Sequence, residues 1–444
     1  MSPLARKAGR VPSPKLAVER FELSCGATLL VSRRPGAPVT AAQFHIRGGH
    51  RLDTPERDGL AWLTGRLVDQ GTQRWSEEEM ASLLEPTGGS VQGDSGGLSG
   101  TIAASGRARG NWKLLLDVMS ELATSPTYPK DRVAHHKARL LDRLRVLSTD
   151  PRQQAWQRFQ RSIYGDHFLG RPTEGNLESV PRLTRRHLVD FHRKHWVARR
   201  AVIAVCGDVD PQAVRRFLAK RLADWRPGTP LGDAEENFPE RAPRVDAYPA
   251  ERQQVHVFLG HLGVRRTDPD WPALVVMDHV LGTGPGFSNR ISRILRDELG
   301  LAYSVSAQIH NSAGLLPGTF TAYIGTSPEH VETAVQGFLG EMRRIREERV
   351  TPAELELAKN YLVGSHALGF ERASRRVGYM ISAERLGLPE DHLERLPELF
   401  AAVDADDIQR AAATHLYPEA SCLVASGPIK PNKLAGLIGA RRKR

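Results

Sequence analysis

Gly282-Thr-Gly-Pro-Gly-Phe-Ser-Asn-Arg-Ile291, followed closely by Leu295-Arg-Asp-Glu-Leu-Gly-Leu-Ala-Tyr-Ser-Val305, decides how this chain reads. Gly282, Gly284 and Gly286, with Phe287 after them, make a turn that lets a backbone approach closely. Residues 290–298 read as a helix and 302–307 as a strand. Arg296 and Tyr303 stand seven residues apart across that junction. Arginine supplies a permanent cation with several donors, and tyrosine a phenolic donor. Both suit the negative charge that develops on a carbonyl oxygen under attack, or the backbone of a bound peptide. Taken singly each residue is ordinary: Arg296 lies in a charged amphipathic segment, and Tyr303 reads as a half-buried strand residue with a wet hydroxyl.

Working outward, the stretch belongs to the second copy of a weak internal repeat. The first copy opens on the apolar strand Ala41-Ala-Gln-Phe-His-Ile-Arg47. It continues through an apolar helix ending at Gln70-Gly-Thr72, a helix from Ser76, a Gly-rich hairpin over 88–100 and two further helices. The second copy opens on Val255-His-Val-Phe-Leu-Gly-His261 and runs through a helix ending at Leu281-Gly-Thr283. Strands over 302–307 and 318–323 come next, then two helices, the second opened by Thr351-Pro-Ala-Glu354. That tetrad places an N-cap Thr, Pro in the first turn and Glu at the third position. Short apolar strands, Ala201-Val-Ile-Ala-Val-Cys-Gly-Asp208 and Ala420-Ser-Cys-Leu-Val-Ala-Ser-Gly427, close the copies. Trp225-Arg-Pro-Gly-Thr-Pro-Leu-Gly-Asp233 marks the linker. The expected layout is a disordered segment 1–20, an α+β lobe 21–225, a linker 226–245, a second α+β lobe 246–430 and a basic tail 431–444. Each lobe is expected to be an antiparallel-rich sheet with helices packed on one face.

Over residues 21–427 the chain resembles the pitrilysin/insulinase metallopeptidases, the inverted-zincin family, most specifically over 282–305. The resemblance implies that Arg296 and Tyr303 bind substrate and stabilise the oxyanion. It implies that Gly282, Gly284, Gly286 and Phe287 form a substrate loop, as in the non-catalytic subunit of the mitochondrial processing peptidase. It also identifies Gly59-Leu-Ala-Trp-Leu-Thr-Gly-Arg-Leu-Val-Asp-Gln-Gly-Thr72 as the family's zinc helix, patterned G-L-A-H-x-x-E-H-x-x-x-x-G-T. An H-x-x-E-H helix works because residues four apart share a face and bring both imidazoles to one ion, with the Glu as general base. Here Trp62 replaces the first His, Gly65 the Glu and Arg66 the second His. Indole and glycine do not ligate zinc, and a guanidinium repels it. The third ligand, a Glu in the family, falls near Asp142-Arg143, where Asp142 is the one carboxylate. No metal is expected in this chain; zinc is expected in a partner subunit.

Composition excludes other classes. The chain has 444 residues, 40% of them apolar and 25% charged, globular values for two to four domains. Cys25, Cys206 and Cys422 are odd in number and widely spaced, which argues against a disulfide framework and fits a reducing, cytoplasmic setting. The basic N-terminus leads into no apolar signal segment, and no apolar run is long enough to span a bilayer. A net charge of +11 admits an acidic partner, but the basic residues are dispersed and no nucleic-acid-binding motif accompanies them. His187, His192 and His195 suggest a metal cluster by type, and a packed helix end by the neighbouring Phe191 and Trp196. Adjacent His135 and His136 point to different faces of a helix. The Gly-rich stretch over 88–100 lacks the Gly-Lys-Ser/Thr ending of a phosphate loop and reads as a hairpin.

Three functions remain. The first is the zinc-lacking subunit of a heteromeric pitrilysin-like peptidase, binding peptide or unfolded polypeptide and lending Arg296 and Tyr303 to a zinc-bearing homologue. The second is a proteolytically silent scaffolding or core subunit of a larger complex. The third is a nucleic-acid or membrane-surface binder acting through charge.

Overall fold

The computed structural model describes residues 15–284, 288–429 and 434–438. The first half runs β1 (Glu19–Glu22), β2 (Thr28–Arg33), β3 (Val39–Arg47), α1 (Leu60–Arg66), α2 (Glu77–Leu84), β4 (Ser90–Ser95) and β5 (Ser99–Arg107). It continues through α3 (Ala108–Thr124), α4 (Lys130–Thr149), α5 (Pro151–Tyr164), α6 (Arg185–His195), β6 (Ala201–Gly207) and α7 (Pro211–Arg221). The second half runs β7 (Arg244–Pro249), β8 (Val255–Leu262), α8 (Trp271–Asp278), π-helical turns at His279–Thr283 and Ser292–Glu298, β9 (Val305–Gln308) and β10 (Thr319–Thr326). Then come α9 (Val331–Glu347), α10 (Pro352–Gly369), α11 (Ala373–Leu386), α12 (His392–Ala402), α13 (Ala405–His415) and β11 (Cys422–Gly427).

The repeat is visible in the sheets. The first has strand order β1-β2-β6-β3-β5-β4, the second β7-β11-β8-β10-β9. Without β1 the orders correspond strand for strand. Each has a single parallel pair at the same place, β2 with β6 and β7 with β11. The fold is α+β in two homologous lobes.

Side-chain alternation explains how the sheets are covered. In β6, Ile203 and Val205 enter the core of the first lobe, under α1 and α3. Val202, Ala204 and Cys206 point to the opposite face, and that face is also buried. Its cover is α11 from the second half, through Val377, Met380 and Ile381, an i, i+3, i+4 stripe. The exchange is reciprocal. On α5 of the first half, Ala155, Phe159 and Ile163 pack with Phe258, Tyr323, Cys422 and Val424 of the second sheet. Each lobe's own helices therefore cover one face, and a helix from the other lobe covers the second. The linker lacks regular structure over 226–243 and gives way to β7 at Arg244. The division at 226–245 thus runs along the chain, while α5 and α11 cross it in space.

Local expectations are met at the capping residues and the histidines. Thr351 Oγ1 accepts from the Glu354 N–H (3.3 Å), and a Glu354 carboxylate oxygen accepts from the Thr351 N–H (2.9 Å). His192 is buried at the end of α6, its ring 5.1 Å from Trp196 and 5.9 Å from Tyr128, a packed helix end. Burial pushes His192 down to about 3. It does the same to His45, to about 3 with Arg385 and Arg47 adding, and to His261, to about 4. Such histidines are neutral when folded and take up protons on unfolding, so they favour the native state above their unfolded value of 6.5 and weaken it as pH falls. Stability should decline from pH 6.5 downward. Replacing His192 with Gln should flatten the slope near pH 5 by about 1.4 kcal/mol per pH unit, the weight of one proton. Urea titrations across pH 4.5–7 measure it; an unchanged slope in the variant refutes a neutral buried His192. The three cysteines are all buried and unpaired. Among the described residues no helix is long and apolar enough to cross a membrane.

Candidate functional site

Helix α1 is set by its start. Gly59 sits at φ +94, and the buried Asp53 carboxylate accepts from the N–H groups of Gly59 (3.1 Å) and Ala61 (3.0 Å). Four residues apart, Trp62 and Arg66 then share the face that borders a cleft of 410 Å³. Arg66 lies 5.8 Å over the Trp62 ring and 3.9 Å from the Asp94 carboxylate. Gly65 faces elsewhere. A Cβ built there would lie 2.4 Å from the carbonyl oxygen of Asp94, and one on Gly93 would lie 2.2 Å from the carbonyl oxygen of Gly65. The backbones of α1 and β4 are in direct contact, and both glycines are required for it.

The far wall is α4. His136, Arg139, Leu140 and Arg143 line the cleft at i, i+3, i+4, i+7 spacing. His136 Nε2 is 3.0 Å from Gln70 Oε1, and Arg143 pairs with Glu174 at 2.9 Å. Asp142, like Gly65, does not line the cleft. It lies off this face, exposed, and pairs with Arg145 at 2.5 Å. The helical period puts Arg143, not Asp142, on the cleft side.

Zinc does not fit this donor set. Where an inverted zincin offers two imidazoles and two carboxylates, the cleft offers an indole, the single imidazole of His136, whose Nε2 lies against Gln70 Oε1, and the guanidinium groups of Arg66, Arg139 and Arg143. The carboxylates present, Asp94 and Glu174, lie against Arg66 and Arg143. Sequence reading identified the three substituted positions. It did not single out Asp94, Arg139 or Glu174; the signal for Arg139 is the face of α4 and that for Asp94 is the hairpin's contact with α1, while Glu174 comes from a loop with no local pattern.

The second-lobe residues are held separately. Asn289 Oδ1 accepts from the Ser292 N–H (2.8 Å) at the start of the π-helical segment. The buried Arg290 donates twice to Glu354, at 2.7 and 2.9 Å, tying the segment to α10. Burial pushes the Glu354 carboxyl up, but Arg290 and the Thr351 N–H override it and hold the group at about 2. At the far end Arg296 and Tyr303 come together, the guanidinium 5.1 Å from the ring centroid. The Arg296 side chain is 20% exposed, whereas Tyr303 is 87% exposed, its ring standing out into solvent.

Tyr303 is not on a strand, which corrects the expectation for residues 302–304. Strand β9 begins at Val305, paired with Ile324. In that register Tyr303 would face Thr326, whose hydroxyl donates instead to the Leu301 carbonyl at 2.7 Å. The ladder is closed off there, and the chain turns Tyr303 outward. Gly282 is buried against β9, where a Cβ would lie 2.3 Å from the Ala307 carbonyl oxygen, and Gly284 sits as tightly on the His279 carbonyl oxygen, also 2.3 Å. Close helix–strand packing accounts for Gly282, and the close return of the chain onto the preceding helical turn accounts for Gly284. Gly286 and Phe287 lie outside the described residues.

Two lobes of this topology, with a helix of H-x-x-E-H position on the first and an Arg/Tyr pair on the second, define an inverted-zincin architecture. Residues 28–176 match the family model described as insulinase (peptidase family M16), and residues 182–362 match that of the peptidase M16 inactive domain. The chain belongs to the pitrilysin/insulinase family. It is 27% identical over 433 residues to an uncharacterized zinc protease of Streptomyces coelicolor, covering 95% of this chain and 92% of that one. It is 24% identical over 450 residues to an uncharacterized zinc protease of Mycobacterium tuberculosis, covering 98% and 100%. Among solved structures, a peptidase M16 inactive domain from Pseudomonas fluorescens has the same fold, with TM-score 0.87, 22% identity and coverage of 96% and 100%. A protease from Helicobacter pylori aligns with TM-score 0.84 at 17% identity, covering 93% of this chain and 100% of that one.

Proposed function

We propose that this chain is the zinc-lacking subunit of a heteromeric M16 peptidase. It binds peptide and supplies Arg296 and Tyr303 to hydrolysis at a zinc site carried by a homologous partner. The observation that carries the reading is the pairing of Arg296 with an almost fully exposed Tyr303 phenol. The Tyr303 hydroxyl makes no hydrogen bond to a described residue, and turned out into solvent it is available to a substrate held between two subunits. The cleft of the first lobe, lined by three arginines, supports the reading that the metal is carried by the partner. A scaffolding subunit has no chemical need for the Arg/Tyr pair.

Two measurements test this. The isolated chain, dialysed and analysed for metal, should hold no stoichiometric zinc and cleave no peptide. One zinc ion per chain, lost to chelator together with activity, would overturn the reading. Mixed with a homologue that retains H-x-x-E-H, the chain should co-elute, and chelator-sensitive cleavage of an unstructured peptide should appear only in the mixture. A co-eluting complex that cleaves no better than the homologue alone assigns the chain to scaffolding.

A further inference from the structure

A charged cavity lies away from both half-sites, between the lobes. It has a volume of 630 Å³ and is walled by the end of β3, the linker and the C-terminal end of α11. Arg47, Arg51, Arg265 and Arg385 line it, with Asp233, Glu236 and Glu384. The carboxylates do not balance the cations. Glu384 is taken by Arg20, which donates to it at 3.0 Å, and Glu236 is taken by Arg265. Arg51 donates only to backbone carbonyls, those of Gly232 (3.0 Å) and Asp233 (3.2 Å). Arg47 reaches the Asp233 carboxylate at 3.4 Å, and that carboxylate is fully exposed. Arg385 makes no hydrogen bond or ion pair to any described residue, and its Nε is sealed from solvent without a partner. Arg47, Arg51 and Arg385 thus line one cavity, and of the three only Arg47 meets a carboxylate among the described residues, a solvated one.

The cluster strains itself. Burial and the neighbouring Arg47 push Arg385 down to about 10. Burial and Arg47 also lower Arg51 and Arg200, and burial with Arg385 and Arg47 empties His45 of its proton. A half-buried cation with no counter-charge among the described residues is costly to a fold, and it persists where something else compensates it. Guanidinium forks match the oxygens of phosphate and carboxylate. Leu98 from the first lobe and Leu316 and Leu386 from the second give the same cavity apolar wall. Its volume suits a small molecule, not a folded partner.

We propose that this cavity is a binding site for a small organic oxyanion, with a phosphate or carboxylate head between Arg47, Arg51 and Arg385 and an apolar body against the leucines. Because Arg47 and Arg51 belong to one lobe and Arg385 to a helix of the other, the ligand bridges the lobes and fixes their relative position. The site is independent of any zinc-bearing partner.

The test uses the full isolated chain at constant ionic strength. Calorimetric titration with 1-naphthyl phosphate should show saturable binding of one molecule per chain. Inorganic phosphate should bind more weakly, and 1-naphthol not at all. A parallel titration with 1-naphthoate distinguishes phosphate from carboxylate heads. Arg385→Met and Arg47→Met should each weaken the tighter of the two anions at least tenfold, while Arg193→Met, an exposed cation on α6, should leave it unchanged. Without anion, Arg385→Met should melt at or above the wild-type temperature, because it removes an uncompensated charge. Absence of saturable binding by either naphthyl anion, equal affinity in Arg385→Met, or a clearly lower melting temperature for that variant without anion overturns the proposal.

Discussion

Arg296→Ala and Tyr303→Phe are each expected to cut the turnover of the assembled peptidase by about a hundred- to a thousandfold, the cost of losing one preorganised donor at a developing oxyanion. Assembly and metal content should stay as they are. The segment is anchored at its other end, by Asn289 and by the Arg290–Glu354 pair. Tyr303→Phe is the sharper of the two variants. It removes only the hydroxyl and keeps the ring on which the Arg296 guanidinium rests 5.1 Å away. A large loss in that variant therefore assigns the effect to the donor and not to packing. Glu298→Ala is the control on the same segment. Its carboxylate is exposed and pairs with Arg293 at 2.7 Å, away from Arg296. If Arg296→Ala and Tyr303→Phe both support wild-type turnover in a verified complex, the pair is a relic and the chain is a scaffold.

How much of this was legible beforehand differs from element to element. The repeat was legible because each lobe needs the same alternation of strand and helix to bury one sheet, and the apolar strands closing the copies repeat that need. The helix exchange was not. An apolar stripe such as Ala155, Phe159, Ile163 states that a helix buries one face, and says nothing of which sheet lies under it. Tyr303 was misplaced for a related reason. The alternating pattern over 302–307 continues past the point where β10 can pair, and the end of a ladder is a property of the partner strand. The shared cleft face of Trp62 and Arg66 was legible because the i, i+4 spacing of H-x-x-E-H is local to one helix. The arginines opposite them needed the face of α4, which a single residue's error reverses, as Asp142 and Arg143 show. Arg47 and Arg385 lie so far apart along the chain that no local pattern joins them. Only the crossing of α11 onto the first sheet brings them together.

Restoring the missing ligands should not restore an enzyme, and the backbone gives the strongest reason. In the variant Trp62→His, Gly65→Glu, Arg66→His, the two imidazoles would lie on the cleft face, where Trp62 and Arg66 now are. The glutamate would not. Any Cβ at position 65 starts 2.4 Å from the Asp94 carbonyl oxygen and 2.6 Å from its carbon, both backbone atoms of the adjoining strand. Accommodating it requires α1 and β4 to move apart. That breaks the close contact shared with Gly93 and exposes the apolar underside of the helix, where Leu63 and Leu67 are buried. Overpacking of this kind typically costs about 1–3 kcal/mol and more where backbone must shift, so the triple variant should lie at the upper end, about 3 kcal/mol below wild type. Trp62→His with Arg66→His alone should fold more nearly as wild type does. It should bind zinc weakly, because Arg139 and Arg143 still face the ion, and His136 and Glu174 are engaged by Gln70 and Arg143. Chemical denaturation of the two variants side by side isolates the contribution of position 65. A triple variant as stable as the double one would show that α1 and β4 separate freely, and chelator-sensitive hydrolysis by it alone would show that the first lobe can still assemble a catalytic zinc site.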